Sequence, residues 1–194
     1  ILTTSVFAEI KIGIILGFTG PIKDLTPAMA ESAEIAIKEA SDSGSLLNGE
    51  TIKVERADST CKDPSAASDA AKEIISQGVK AIIGGVCSEV TEIILSEAAV
   101  PNGIVMISPA ETSSSLTFLD DKGFFFRTTP SEARGGQILA DITKDRRIKK
   151  VAITYTNNDY GKDLAEAYKD AVESYGLEVT IIASHEDDKE DYSS

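Results

Sequence analysis

Tryptophan is missing from this chain, histidine occurs once, and cysteine and methionine occur twice each. The single imidazole, His185, sits in an acidic, polar tail and has neither cysteine near it in sequence, so no nucleophile–base pair is in view. No apolar run reaches the length that spans a bilayer. Positive charge is scarce: 19 Lys and Arg stand against 32 Asp and Glu, for a net charge of −13. Such a surface repels nucleic acid and anionic membranes, and points to small molecules or basic protein patches as partners. No G-x-G-x-x-G or G-x-x-x-x-G-K-[ST] follows a predicted strand, which demotes nucleotide binding. The absence of C-x-x-C argues against a redox or zinc site, and the run Glu186, Asp187, Asp188, Glu190, Asp191 lacks the glycine and spacing of a calcium loop. Neither a cofactor nor a metal is expected.

What remains is an ordinary globular composition, 42% apolar and 26% charged, in 194 residues. That length suits one α/β domain or two small lobes, each with a real core. Residues 1–8 stand apart: Ile1 to Phe7 is apolar and rich in small residues, and Val6-Phe7-Ala8 fits a cleavage site after Ala8. The segment reads as the tail of a secretory signal, with a frayed extension as the alternative. Two cysteines in an exported protein suggest one disulfide, while two buried thiols in a cytosolic one is the competing reading.

Taken in order, Ile10, Ile12, Ile14, Ile15 and Leu16 make a strand that ends fully apolar, as a central parallel strand does. Gly17, Gly20 and Pro21 break it, and Thr26-Pro27 predicts an N-cap and a first-turn proline for a helix carrying Met29, Ala33, Ala36, Ile37 and Ala40 to Gly44. Asn48-Gly49 predicts a tight turn into an edge-type strand from Thr51 to Ala57, and Asp63-Pro64 starts a helix that Gly78 ends. A third strand, Val79 to Ile83, leads through Gly84-Gly85 into a helix with Val90, Ile93, Ile94 and Ala98 inward. Ile104 to Ile107 follows as a fourth, buried strand, and Phe124 to Phe126 begins a fifth. After Thr128 the alternation restarts: Ser131 caps a helix with Ile138, Leu139 and Ile142, then come a strand from Val151 to Tyr155, a helix with Leu164, Ala167, Tyr168, Ala171 and Val172, and a strand from Leu177 to Ala183. Strand–helix alternation of this kind implies right-handed βαβ units, a doubly wound parallel sheet, and ligands at the C-terminal ends of strands. The expected division is a first lobe over 9–128 and part of a second over 129–194, whose polar tail leaves the second sheet unclosed.

Polar groups collect at those strand ends. Gly84 and Gly85 allow positive φ or close backbone approach, and Ser88 stands at a helix start with unpaired amides, where an anion is favoured. Ser88 could equally serve as no more than its own helix's cap. The Ala110 carbonyl and Thr112 hydroxyl follow the fourth strand, and Tyr160 follows the strand after Thr128. Donors, acceptors and an aromatic ring of this kind suit a small zwitterion.

In these residues the chain resembles the type I periplasmic binding proteins, of the branched-chain amino-acid (leucine/isoleucine/valine) family that serves ABC importers. The likeness rests on Ile10-Lys11-Ile12-Gly13 with Gly20-Pro21, Asp58 to Pro64, Ile83 to Ser88, Ser108 to Thr112, Arg127-Thr128-Thr129 and Asp159-Tyr160-Gly161. The resemblance implies a Cys61–Cys87 disulfide, a ligand carboxylate at Ser88 and Thr112, an ammonium at Ala110 and Thr112, and a closing-lobe contact from Tyr160 across the cleft between the lobes. Leu25 stands where relatives often place an aromatic ring near the ligand, and Glu111 lies between two matched ligand positions. An acidic residue for the ammonium is expected beyond Ser194. The function implied is non-enzymatic: a periplasmic or otherwise extracytoplasmic protein that binds an amino acid or related carboxylate and presents it to an ABC transporter permease. Alternatives are the ligand-sensing domain of a receptor or regulator, binding of an amide or urea-type ligand, and, weakest, a doubly wound hydrolase or dehydrogenase.

Overall fold

The computed structural model describes residues 9–46, 50–186 and 191–192. The expected signal remnant at 1–8 and the Asn48-Gly49 turn lie outside the described residues. The chain packs as two compact units: one takes in the chain up to Ala110 together with Asp120–Thr128, the other Glu111–Leu119 together with the chain from Thr129 on. Residues Glu111–Leu119, which the sequence assigns to the first lobe, thus pack with the second unit.

The first unit is a five-stranded, wholly parallel sheet: β1 (Glu9–Leu16), β2 (Thr51–Asp58), β3 (Ala81–Gly84), β4 (Val105–Ser108) and β5 (Phe125–Arg127), in the order β2-β1-β3-β4-β5. The order reverses at β1, and in doubly wound sheets ligands bind beyond the strand C-termini near such a reversal. Ile14, Ile15 and Leu16 on β1 are buried, each contributing about 1.5–3 kcal/mol on leaving water. β2, paired on one side only, keeps the alternating pattern of an edge.

Helix α1 (Thr26–Asp42) packs Ala30, Met29, Ala33 and Ile37 on Ile14 and Leu16, while Ala36 and Ala40 face solvent. Thr26 does not cap it. Leu25 holds the cap position, and the buried Thr26 hydroxyl donates to the Gly17 carbonyl at 2.9 Å, so a core bond wins over capping. Helix α2 (Pro64–Ser76) starts as expected, with Asp63 accepting from the Ala66 N–H at 3.1 Å. Helix α3 (Ser88–Ile94) runs into one π turn (Leu95–Ala99) and a 3₁₀ turn (Val100–Asn102) that Gly103 ends in the left-handed region. The wider turn rotates the inward face, so Leu95 and Ala99 join Ala98 in the core and Ile93 is only half-buried. Ile107, expected buried, is 41% exposed, as is its cross-strand partner Phe126 at 54%.

The second unit holds α4 (Glu132–Asp145), β6 (Lys150–Thr156), α5 (Asp159–Ser174) and β7 (Glu178–His185), with β6 and β7 parallel. Here the expected helix face is corrected. Ile138, Leu139 and Ile142 are exposed, and α4 instead buries Gly136, Ala140 and Thr143. A Cβ on Gly136 would lie 2.6 Å from the Ala167 carbonyl carbon, so α4 approaches α5 backbone to backbone through its smallest residues. Ser131 occupies the α4 cap position without a side-chain cap bond; Asn158 does cap α5, accepting from the Gly161 N–H at 2.8 Å. No described helix is long and apolar enough to cross a membrane.

Candidate functional site

At the C-terminal end of β3 the backbone is held too tightly for any side chain at two points. A Cβ on Gly84, whose φ is +144°, would stand 2.0 Å from the Ile15 carbonyl oxygen, and one on Gly85 would stand 2.2 Å from Thr91 Oγ1. The Thr91 hydroxyl donates to the Cys87 carbonyl at 2.9 Å, closing the first turn of α3. From β4, the fully buried Ser108 hydroxyl donates to the Gly85 carbonyl at 2.7 Å and accepts from the Ala110 N–H at 3.2 Å.

Cys87, extended at φ −135°, takes the α3 cap position with no side-chain cap bond, and Ser88 is the first helical residue. Self-capping by Ser88 is therefore not what the structure contains. Ser88 is 4% exposed and its hydroxyl makes no hydrogen bond among the described residues.

Cys87 is disulfide-bonded to Cys61, with their Cα atoms 5.4 Å apart. The bridge joins the loop after β3 to the loop after β2, where Thr60 and Cys61 are both left-handed, at φ 58° and 54°. The loop after β1 fits beneath: a Cβ on Gly17 would lie 2.7 Å from the Cys61 sulfur, and one on Gly20 would lie 2.1 Å from the Thr60 carbonyl oxygen. Asp58 ties these loops, accepting from the Thr19 hydroxyl at 2.6 Å, the Thr19 N–H at 3.2 Å and the Thr60 N–H at 2.8 Å. Burial works to raise the Asp58 pKa, but these donors, the Thr19 hydroxyl foremost, outweigh it and hold the carboxyl below its ordinary value. Leu25 lies on the same unit, 59% exposed.

In the second unit the segment after β4 is fastened residue by residue. The Thr112 hydroxyl donates to Glu132 Oε1 at 2.6 Å, and the Glu132 N–H returns a bond to the Thr112 carbonyl at 2.7 Å. The buried Ser113 hydroxyl bonds Asp163 of α5, and the Thr129 hydroxyl donates to the Glu111 carbonyl at 2.6 Å. The Glu111 side chain is itself buried. Tyr160, in the first turn of α5 and 51% exposed, lines a pocket of about 470 Å³ with Leu139, Ile153, Thr156, Leu164 and Tyr168. Gly161 is needed beside it, because a Cβ there would fall 2.3 Å from the Thr156 carbonyl oxygen.

Ser88 and Ala110 thus share the first unit, joined through Gly85 and Ser108, while Thr112 and Tyr160 belong to the second. Two residues escape a reading of the sequence. Ser108 looks like the polar end of an apolar strand, and Glu132 looks like the first-turn acid of a helix; the one available signal is that each is a polar residue on a face that the pattern buries.

Comparison with known proteins bears on these features. A model of the periplasmic binding protein family matches residues 9–194. A Leu/Ile/Val-binding protein homolog 3 from Brucella melitensis is 30% identical over 175 residues, covering 90% of this chain and 46% of the relative. Among solved structures, the branched-chain amino-acid transporter substrate binding protein LivJ from Streptococcus pneumoniae, in complex with isoleucine, is 25% identical with a TM-score of 0.82, covering 96% of this chain and 52% of that one. A solute binding protein of an ABC transporter from Rhodopseudomonas palustris, in complex with 3,4-dihydroxybenzoic acid, shares the fold at 22% identity and a TM-score of 0.80, over 92% and 47% of the two chains. The chain spans about half the length of the relatives it matches. A family match that takes in every strand and helix described above makes the chain a member of the periplasmic binding proteins, in their type I, branched-chain amino-acid group.

Proposed function

We propose that the chain belongs to an exported substrate-binding protein of an ABC importer, which binds a small, branched-chain-like amino acid or related carboxylate outside the cytoplasm and releases it unchanged to a permease. The observation that carries this reading is how two hydroxyls divide their protons. The Thr112 hydroxyl has one proton, and Glu132 takes it at 2.6 Å. Toward a ligand Thr112 offers only lone pairs with a carboxylate behind them, an environment for an ammonium group. The Ser88 hydroxyl keeps its proton available and stands at a helix start, an environment for a carboxylate. In this assignment the Ala110 carbonyl adds a second acceptor for the ammonium, and Leu25 and Tyr160 receive the ligand side chain.

Titration calorimetry of the intact protein with leucine, isoleucine, valine, acetamide, urea and benzoate tests the reading, with 4-methylpentanoate as the leucine analogue that lacks the ammonium. An amino acid is expected to bind, and the analogue to bind about 10²-fold to 10⁴-fold more weakly, since two acceptors built for a cation are then left unfilled. Equal binding of leucine and 4-methylpentanoate, or no binding of any amino acid, would overturn it.

A further inference from the structure

We infer that Ser108 is a positioning residue of this site: its hydroxyl sets the spacing between the loop that carries Ser88 and the loop that carries Ala110. The inference rests on the assignment of Ser88 and Ala110 to the ligand given above.

Ser108 is the last residue of β4, and none of its surface is exposed. A hydroxyl has one proton to give and lone pairs to receive, and here both capacities are used across two loops. It donates to the Gly85 carbonyl at 2.7 Å, three residues before Ser88, and accepts from the Ala110 N–H at 3.2 Å. β3 and β4 are hydrogen-bonded neighbours only as far as Ile83 and Ile107. Beyond that register β3 and β4 are no longer paired with each other, although Gly84 still pairs with Ile15 of β1 and Ser108 with Arg127 of β5, and the Ser108 side chain carries the link between the two on where their own ladder stops. The Gly85 end has little freedom of its own, because a Cβ there would already meet Thr91. At the other end, the Ala110 N–H bond to Ser108 fixes the peptide plane on one side of the residue whose carbonyl is assigned to the ammonium.

A buried serine can serve stability alone, so the test separates the two roles. Ser108→Ala and Ser108→Thr are made in the intact protein, with Ser59→Ala as control. Ser59 is equally buried, but its hydroxyl makes no hydrogen bond among the described residues. Leucine affinity is measured by calorimetry well below each variant's unfolding midpoint, where a loss of stability alone leaves the dissociation constant unmoved. Ser108→Ala is expected to weaken leucine about tenfold, Ser108→Thr to recover most of that, and Ser59→Ala to bind as wild type does. If Ser108→Ala does not fold, Ser108→Cys, which keeps the shape and weakens both bonds, takes its place with a smaller loss of the same sign. Wild-type affinity in a folded Ser108→Ala, or an equal loss in Ser59→Ala, would overturn the inference. Failure of the wild-type protein to bind any amino acid would instead remove the functional reading beneath it.

Discussion

Removing the Cys61–Cys87 bridge should cost stability without costing affinity, and the size of the loss can be worked from the structure. The bridge closes a segment with a sequence separation of 26, for which loop-closure entropy gives about 3.5 kcal/mol at 25 °C. Against this stand Thr60 and Cys61, both held left-handed without being glycine, a conformation costing on the order of 1 kcal/mol each that a released loop can escape. The net loss is therefore about 1.5–3.5 kcal/mol. For a unit of this size each kcal/mol moves the unfolding midpoint by roughly 3 °C, so the Cys61→Ala, Cys87→Ala double variant should melt about 5–10 °C lower. Thermal unfolding followed by circular dichroism, with and without a reducing agent, reads the shift directly. Reduced wild type and the double variant should coincide, and both should bind leucine at 10 °C within about twofold of the oxidised protein. An unchanged midpoint would refute the entropic reasoning. A large loss of affinity at that temperature would show that the bridge orients Ser88 and does more than restrict the unfolded chain.

Three further outcomes follow from the same geometry. Ser88→Ala, which removes a hydroxyl with no hydrogen-bond partner among the described residues, should weaken ligand by about 1–3 kcal/mol while leaving the unliganded melting temperature unchanged; calorimetry and thermal unfolding on the same samples check both halves. Asp58, whose folded pKa lies below its unfolded value of about 3.9, stabilises the protein above that pH and loses this contribution as the pH falls through the folded value. The gap in melting temperature between wild type and Asp58→Asn should accordingly be widest above about pH 4 and close in stronger acid; a gap that widened in acid would reverse the assignment. Gly84→Ala puts a methyl 2.0 Å from the Ile15 carbonyl in a backbone conformation that alanine avoids, so it should destabilise by at least about 3 kcal/mol or prevent soluble expression, whereas Gly78→Ala, with nothing within 4 Å of the added carbon, should cost only its left-handed φ, about 1 kcal/mol.

Most of the architecture was legible because periodicity and punctuation agree. The apolar finish of β1, the Asp63-Pro64 helix start and the glycine pair after β3 each say one thing, and the structure repeats it. Where they mislead, the tertiary context has displaced a local preference. Thr26 and Ser88 have the side chains of caps, yet the first reaches back to Gly17 and the hydroxyl of the second makes no hydrogen bond among the described residues. On α4 the three large apolar residues looked like the buried face, and the helix turned its glycine and alanine inward, since close approach to α5 needs the absence of bulk. The site was legible in part. Ser88, Ala110 and Thr112 could be singled out as polar groups at strand ends, but Ser108 and Glu132 act through bonds to residues 23 and 20 positions away, and sequence order carries no trace of such pairings.

The paired strands β6 and β7 have no further strand beside them among the described residues, so each presents a row of backbone amides and carbonyls along its outer side. Ile181 and Ile182, on β7, are also 56% and 39% exposed. A ribbon of that kind is a template on which another polypeptide can lay down hydrogen bonds.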